Sequence, residues 1–216
     1  VNAFDTDNFK WNSGVQYWFN KSEITRLDVP AFAQPGAGFG LGLGTYYIQE
    51  GQPVTQLAGT VDGVPTQIGN SEPDFQMSFN NNITLFKQFD ISFLLHLKQG
   101  GDNINLTTLL TDLGGTTPDL DTQAGIDRAG SGFVATRFIE PAGYLRLREA
   151  AIYYRFPKSV IDSFGDTVSY VKLGVSARNL FTITDYTGYY PEVSTHGSSD
   201  LSSATDVTPI PITMLS

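Results

Sequence analysis

The sequence predicts an all-β chain of long antiparallel strands, of the kind that cross a bilayer as staves of a barrel. Three observations carry that reading. Apolar and polar residues alternate with period two, and helical periodicity is almost absent. The alternating runs are about ten to twelve residues long; globular strands usually have about five or six, and a tilted membrane-crossing strand needs roughly nine to eleven. The connections also alternate in size, long at 28–72, 100–143 and 182 onward, short at 86–88 and 157–167. Long loops at one end and short turns at the other are the pattern of outer-membrane barrels. A soluble β-sandwich predicts shorter strands and more even spacing; it remains the alternative at this point.

Five runs define the staves. In residues 9–20, Phe9, Trp11, Val15, Tyr17 and Phe19 share one face, and Lys10, Asn12, Gly14, Gln16 and Asn20 the other, with Trp18 out of pattern. Residues 74–85 set Phe75, Met77, Phe79, Ile83 and Leu85 against Asp74, Gln76, Ser78, Asn80, Asn82 and Thr84. After a tight "FKQ" link, Phe89, Ile91, Phe93, Leu95 and Leu97 alternate with Asp90, Ser92, His96 and Lys98, so the two runs read as a hairpin. Residues 144–156, "YLRLREAAIYYRF", lose their alternation around Glu149 and Ala150, which predicts a bulge. In residues 168–178, Val171, Leu173, Val175 and Ala177 oppose Lys172, Gly174, Ser176 and Arg178.

Composition removes several function classes. The chain has 216 residues and a net charge of −9, and an acidic surface is wrong for a nucleic-acid backbone. It has no cysteine, so disulfides, thiolate metal sites and cysteine nucleophiles are excluded. Its two histidines, His96 and His196, are too far apart in sequence to suggest a zinc site or a triad. No run approaches the roughly 18 apolar residues of a membrane helix. The opening "VNAFDTDNF" is neither a signal peptide nor a usual start, and reads as the middle of a longer chain.

Residues 67–85, "QIGNSEPDFQMSFNNNITL", with the following "FKQFDISFLLHLKQGGDNINLT", resemble the late barrel of SusC/RagA-type TonB-linked outer-membrane transporters. So do "YLRLREAAIYYRFPKSVI" and "VKLGVSARNLFTITDYTGYYPEVS", in one order over about residues 9–206. The resemblance implies a single partial domain, residues 1–216, that is the C-terminal part of a large antiparallel transmembrane barrel. About five complete strands and the start of a sixth are expected, with long external loops and short periplasmic turns. The plug and the first strands would be absent. It implies import of oligosaccharides or peptides across the bacterial outer membrane. The implied partners are a SusD-like surface lipoprotein, TonB acting through the absent plug, and outer-membrane lipid. The alternative function is that of a soluble secreted β-domain binding glycans.

Site signals are sparse. Tyr186, Tyr189, Tyr190, Arg146 and Arg148 are the candidate substrate-binding residues, against the expectation that the tyrosines form a rim or girdle and the arginines pair with lumen carboxylates. Arg155, Arg178 and His96 lie on polar faces and take the same structural reading. "GAGFGLGLG" at 36–44 misses the phosphate-cradle spacing and reads as a flexible loop. "DLDTQAG" at 119–125 has Ala124 and Gly130 where a calcium loop needs Gly and Glu, and reads as a solvated loop. No catalytic pair, metal set or cofactor motif stands out, so an enzyme is not expected.

Overall fold

A computed structural model describes residues 1–35, 40–130, 134–165, 168–188, 190–192 and 214–215. In chain order the strands are β1 (Asn2–Asp5), β2 (Phe9–Trp18), β3 (Phe32–Ala33), β4 (Thr45–Ile48), β5 (Gln56–Val61), β6 (Val64–Asn70), β7 (Phe75–Leu85), β8 (Phe89–Gln99) and β9 (Asp102–Ile104). Helices α1 (Leu106–Leu113) and α2 (Gln123–Gly130) follow, then β10 (Ile139–Pro141), β11 (Tyr144–Arg155), α3 (Lys158–Ile161), β12 (Lys172–Ile183) and β13 (Met214–Leu215). The main sheet is seven-stranded, ordered β1-β2-β7-β8-β11-β12-β13, and every pairing is antiparallel. All five predicted staves are present, and β13 supplies the start of a sixth. The short β1, with no signal in the sequence, extends the sheet at the other side.

Two boundaries differ from the sequence reading, each for a local reason. The first stave ends at Trp18 because the following residues are held elsewhere. Glu72 accepts from Asn20 Nδ2 at 3.0 Å and from the Ser22 backbone N–H at 3.2 Å. The fifth stave runs from Lys172 to Ile183 instead of 168–178. Its visible alternation stops at Arg178 because Asn179 falls in an apolar phase and Leu180 in a polar one. Asn179 adopts a left-handed φ of 53°, a conformation asparagine tolerates, and the strand then resumes against Leu145–Leu147.

The predicted bulge is real and sits one residue earlier than expected. On β11, Leu147 pairs with Leu95 and Glu149 with Leu94, so Arg148 is an extra residue. The extra residue shifts the phase of β11. Arg146 and Glu149 thereby share the polar face although an odd number of positions separates them. Glu149 meets Arg178 across the sheet at 3.5 Å.

The two faces are sharply different. One cross-strand row reads Val15, Phe79, Leu95, Leu147, Phe181, and another Trp11, Ile83, Ile91, Ile152, Val175. Much of this apolar face is open, with Val15 60% and Val175 59% exposed. Aromatic rings edge it at both ends. Tyr17 contacts Phe19 and Phe75 near the long loops, while Phe4, Phe9 and Trp11, and separately Phe89, Tyr154 and Phe156, cluster near the short turns. From Phe9 to Trp18 the chain climbs about 30 Å at strand rise, or about 23 Å across when tilted by about 40°. That is the height of a hydrocarbon band between aromatic girdles. Two cross-strand partners, Ser13 and Asn81, interrupt the apolar face; Asn81 is 0% exposed, and its Oδ1 accepts from the Trp11 indole N–H at 2.8 Å.

The buried core lies in the long connections and not behind the sheet. The 28–72 connection folds into a four-stranded sheet ordered β3-β4-β5-β6, and β9 pairs with β10. Tyr46, Leu57 and Ile104 form one cluster with Ile68 and Ile139, and Leu106, Leu109 and Phe138 another with Leu43. Each fully buried Leu or Ile contributes roughly 2 kcal/mol of transfer free energy. The loops therefore have order of their own, which their Gly/Pro-rich composition concealed. Within "GAGFGLGLG", residues 36–39 lie outside the described part. Leu43 is docked in the core, and the Leu41 carbonyl accepts from Thr60 N–H at 2.8 Å. The turn end is tighter: Phe86 and Lys87 take left-handed φ values of 51° and 60°, the mirror-image turn that suits strand twist.

Candidate functional site at the polar face

The polar face concentrates its chemistry at the loop end. β2, β7, β8 and β11 there place Trp18, Gln76, Lys98 and Tyr144 in one row. The next row holds Gln16, Ser78, His96 and Arg146, with Thr182 beyond Arg146 on β12. Trp18, the residue out of pattern in the sequence, lies on this polar face, and its ring stacks on His96 with centroids 5.6 Å apart. His96 Nδ1 accepts from Arg148 Nη2 at 2.7 Å, since a guanidinium only donates. The imidazole proton is therefore on Nε2, which donates to Gln76 Oε1 at 3.2 Å.

Glu192, from the connection after β12, reaches into this cluster. It accepts from Arg148 Nη1 at 2.9 Å, and also from Arg148 Nη2, Arg146 Nη1 and the Tyr144 hydroxyl. Burial alone would raise the Glu192 carboxyl, but the hydrogen bonds from Arg148 and Tyr144 and the nearby Arg146 charge hold it below the usual range. Arg146 is 0% exposed, donates from Nε to Thr182 Oγ1 at 2.9 Å, and lies 3.6 Å beneath the Tyr190 ring. Its Nη2 is buried without a hydrogen-bond partner among the described residues. The Arg148 and Glu192 side chains remain 28% and 27% exposed.

The candidates named from sequence thus separate. Arg146, Arg148 and Tyr190 come together in one cluster. Tyr186 is 5% exposed, in a packed rim fixed by the Thr184 hydroxyl, which donates to the Gly143 carbonyl and accepts from Tyr186 N–H. Tyr189 lies outside the described residues. Trp18, Gln76, Tyr144 and Glu192 are not among the residues the sequence marks as candidates, and His96 is read there only as a polar-face residue. For Trp18 the broken alternation was a signal, whereas nothing in sequence joins Glu192 to Tyr144. Arg155 and Arg178 pair with Asp90 and Glu149.

A second polar feature is a cleft of about 500 Å³ lined by Thr107, Thr111, Thr117, Asp119, Arg128 and Thr187. "DLDTQAG" leads into α2 here and is not simply a solvated loop. Arg128 clamps Asp112 through Nε at 2.5 Å and Nη2 at 2.9 Å, and Asp119 through Nη1 at 3.0 Å and Nη2 at 2.7 Å. These bonds hold both carboxyls below their ordinary values and raise the guanidinium. A depressed carboxyl contributes stability above its unfolded pKa of about 4, and that stability is lost as pH falls through the folded value. Amide exchange across α1 and α2, corrected for intrinsic rates, is expected to show protection at pH 7 that falls at pH 3. Equal protection would mean the clamp does not hold the loop. Among the described residues, no group of three or more His, Asp or Glu is placed to hold a metal.

An open antiparallel sheet with one banded apolar face, one polar face and structured loops at one end defines a segment of a transmembrane β-barrel. No protein-family model matches the chain. Over 151 residues, 65% of this chain, it is 29% identical to TonB-dependent receptor P3 of Formosa agariphila. The RagAB peptide importer in its closed-closed state superimposes with a TM-score of 0.65 over 95% of this chain, at 18% identity. A second structure, of the RagAB peptide transporter, gives a TM-score of 0.67 over 88% of it, at 17% identity. The chain spans 15% of the receptor's length, and 27% and 25% of the two solved chains. These likenesses agree with the resemblance read from the sequence: the chain has the fold of a barrel segment of the RagAB importer and is similar in sequence to a TonB-dependent receptor.

Proposed function

We propose that the chain forms part of the wall and external mouth of a transporter that imports oligosaccharides or peptides across the outer membrane with a SusD-like lipoprotein partner. The carrying observation is the pair of faces: an exposed aliphatic face edged by two aromatic bands, and a polar face holding Arg146, Arg148, His96 and Glu192. In this reading the apolar face meets lipid, the polar face meets the lumen, the long loops lie outside the cell and the short turns in the periplasm. TonB would act through the plug of the intact transporter. The role is passage and recognition, not catalysis. A soluble glycan-binding domain would need a second layer over the apolar face, and no element covers it among the described residues.

The intact parent should fractionate with outer membrane and migrate faster on SDS gels when unboiled. A parent soluble without detergent would contradict the proposal.

A further inference from the structure

We propose that the Arg148–Arg146–Tyr144 seat occupied by Glu192 is a carboxylate-binding site for substrate, with Glu192 as its resident stand-in. This rests on the transporter reading and deepens it by naming the substrate chemistry: an acidic oligosaccharide or a peptide carboxylate. Four observations carry it. The seat presents the planar donor fork that carboxylates fit, and two guanidiniums share one carboxylate there, with Lys98 beside Tyr144 in the adjacent strand. Arg146 Nη2, on a fully buried side chain, is a donor with no partner among the described residues, so the present ligand leaves the seat incompletely satisfied there. Arg148 is partly open, as an exchangeable contact requires. Trp18, 40% exposed and stacked on His96, offers a flat apolar surface beside the charge, suited to the body of the ligand. Glu192 arrives from the loop after β12, beyond the Thr184–Thr187 anchor, so its release frees only its own end of that loop from the mouth.

Glu192 and a substrate carboxylate compete, which gives opposite signs for two variants. The intact transporter, purified in detergent and checked for heat-modifiable mobility, is titrated calorimetrically with four probes. These are trigalacturonate, its carboxyl-reduced counterpart, a pentapeptide with a free C-terminus, and the same peptide amidated. At least one carboxylate probe should bind better than its neutral counterpart, and which one does identifies the source. Glu192→Gln should tighten that probe several-fold, and Arg148→Gln should weaken it by about tenfold, the value of one charge-assisted contact. Binding that is equal for charged and neutral probes overturns the proposal. So does weakening by Glu192→Gln, or no binding of any probe to wild type or to Glu192→Gln. A parent that is not heat-modifiable would instead overturn the transporter reading.

Discussion

Replacing Gly174 by valine is expected to destabilise the β11–β12 pair by roughly 3 kcal/mol, the upper range for overpacking a fitted site. Gly174 pairs with Tyr153, whose ring lies across the bare glycine. A Cβ there would collide with Tyr153 Cδ1 and come within 2.7 Å of the Ile152 carbonyl oxygen. Lys172 Nζ sits 4.7 Å from the same ring, so displacing Tyr153 also disturbs a cation–π contact. The measurement is the heat-modifiable fraction in outer membranes, with the urea midpoint of the assembled protein. Tyr153→Ala in the same chain should recover part of the loss by removing the obstacle. A Gly174→Val protein as stable as wild type would show that the ring does not occupy this position.

Replacing Arg146 by alanine should cost roughly 3–5 kcal/mol, because it removes one partner of a buried ion pair and leaves a void. The guanidinium joins β12 through Thr182, the following loop through Glu192, and the aromatic packing through Tyr190. Its loss should expose the loop beyond the Thr184–Thr187 anchor to protease while the lower sheet stays intact. Arg146→Lys keeps the charge but not the fork, so it should recover only part of the effect. A change under about 1 kcal/mol would place Arg146 among the weak surface pairs instead.

The staves were legible because a strand with one face in lipid and one in a polar lumen must alternate, and because crossing a bilayer demands length. Phe75–Leu85 and Phe89–Gln99 follow from that rule almost residue by residue. Alternation failed as a guide where the backbone leaves the strand conformation. Asn179 in the left-handed region hid the last turn of β12, and the extra residue at Arg148 moved the bulge by one position. The loop cores were invisible for another reason. Leu57 and Ile104 share one cluster and Leu43 and Phe138 another, and no periodicity links residues that meet only after the sheet brings two loops to one end. The site shows the same division. Arg146 and Arg148 stood out as charges within a strand, but their carboxylate comes from Glu192, beyond the next long strand. Asn81 was legible only as a missing apolar residue; its indole partner on β2 explains why the position can be polar.

The central claim is that one face of this sheet meets lipid and the other a polar lumen. The chain has no cysteine, so single cysteines placed in a parent cleared of its other cysteines report one position each. Fluorophores at Val15 and Val175 should be quenched by spin-labelled lipid in reconstituted vesicles. Those at Gln16 and Asn80, which lie on the opposite face in neighbouring registers, should be quenched only by a water-soluble agent. Lipid quenching that does not alternate between Val15 and Gln16, or that is absent at both valines, would contradict the account.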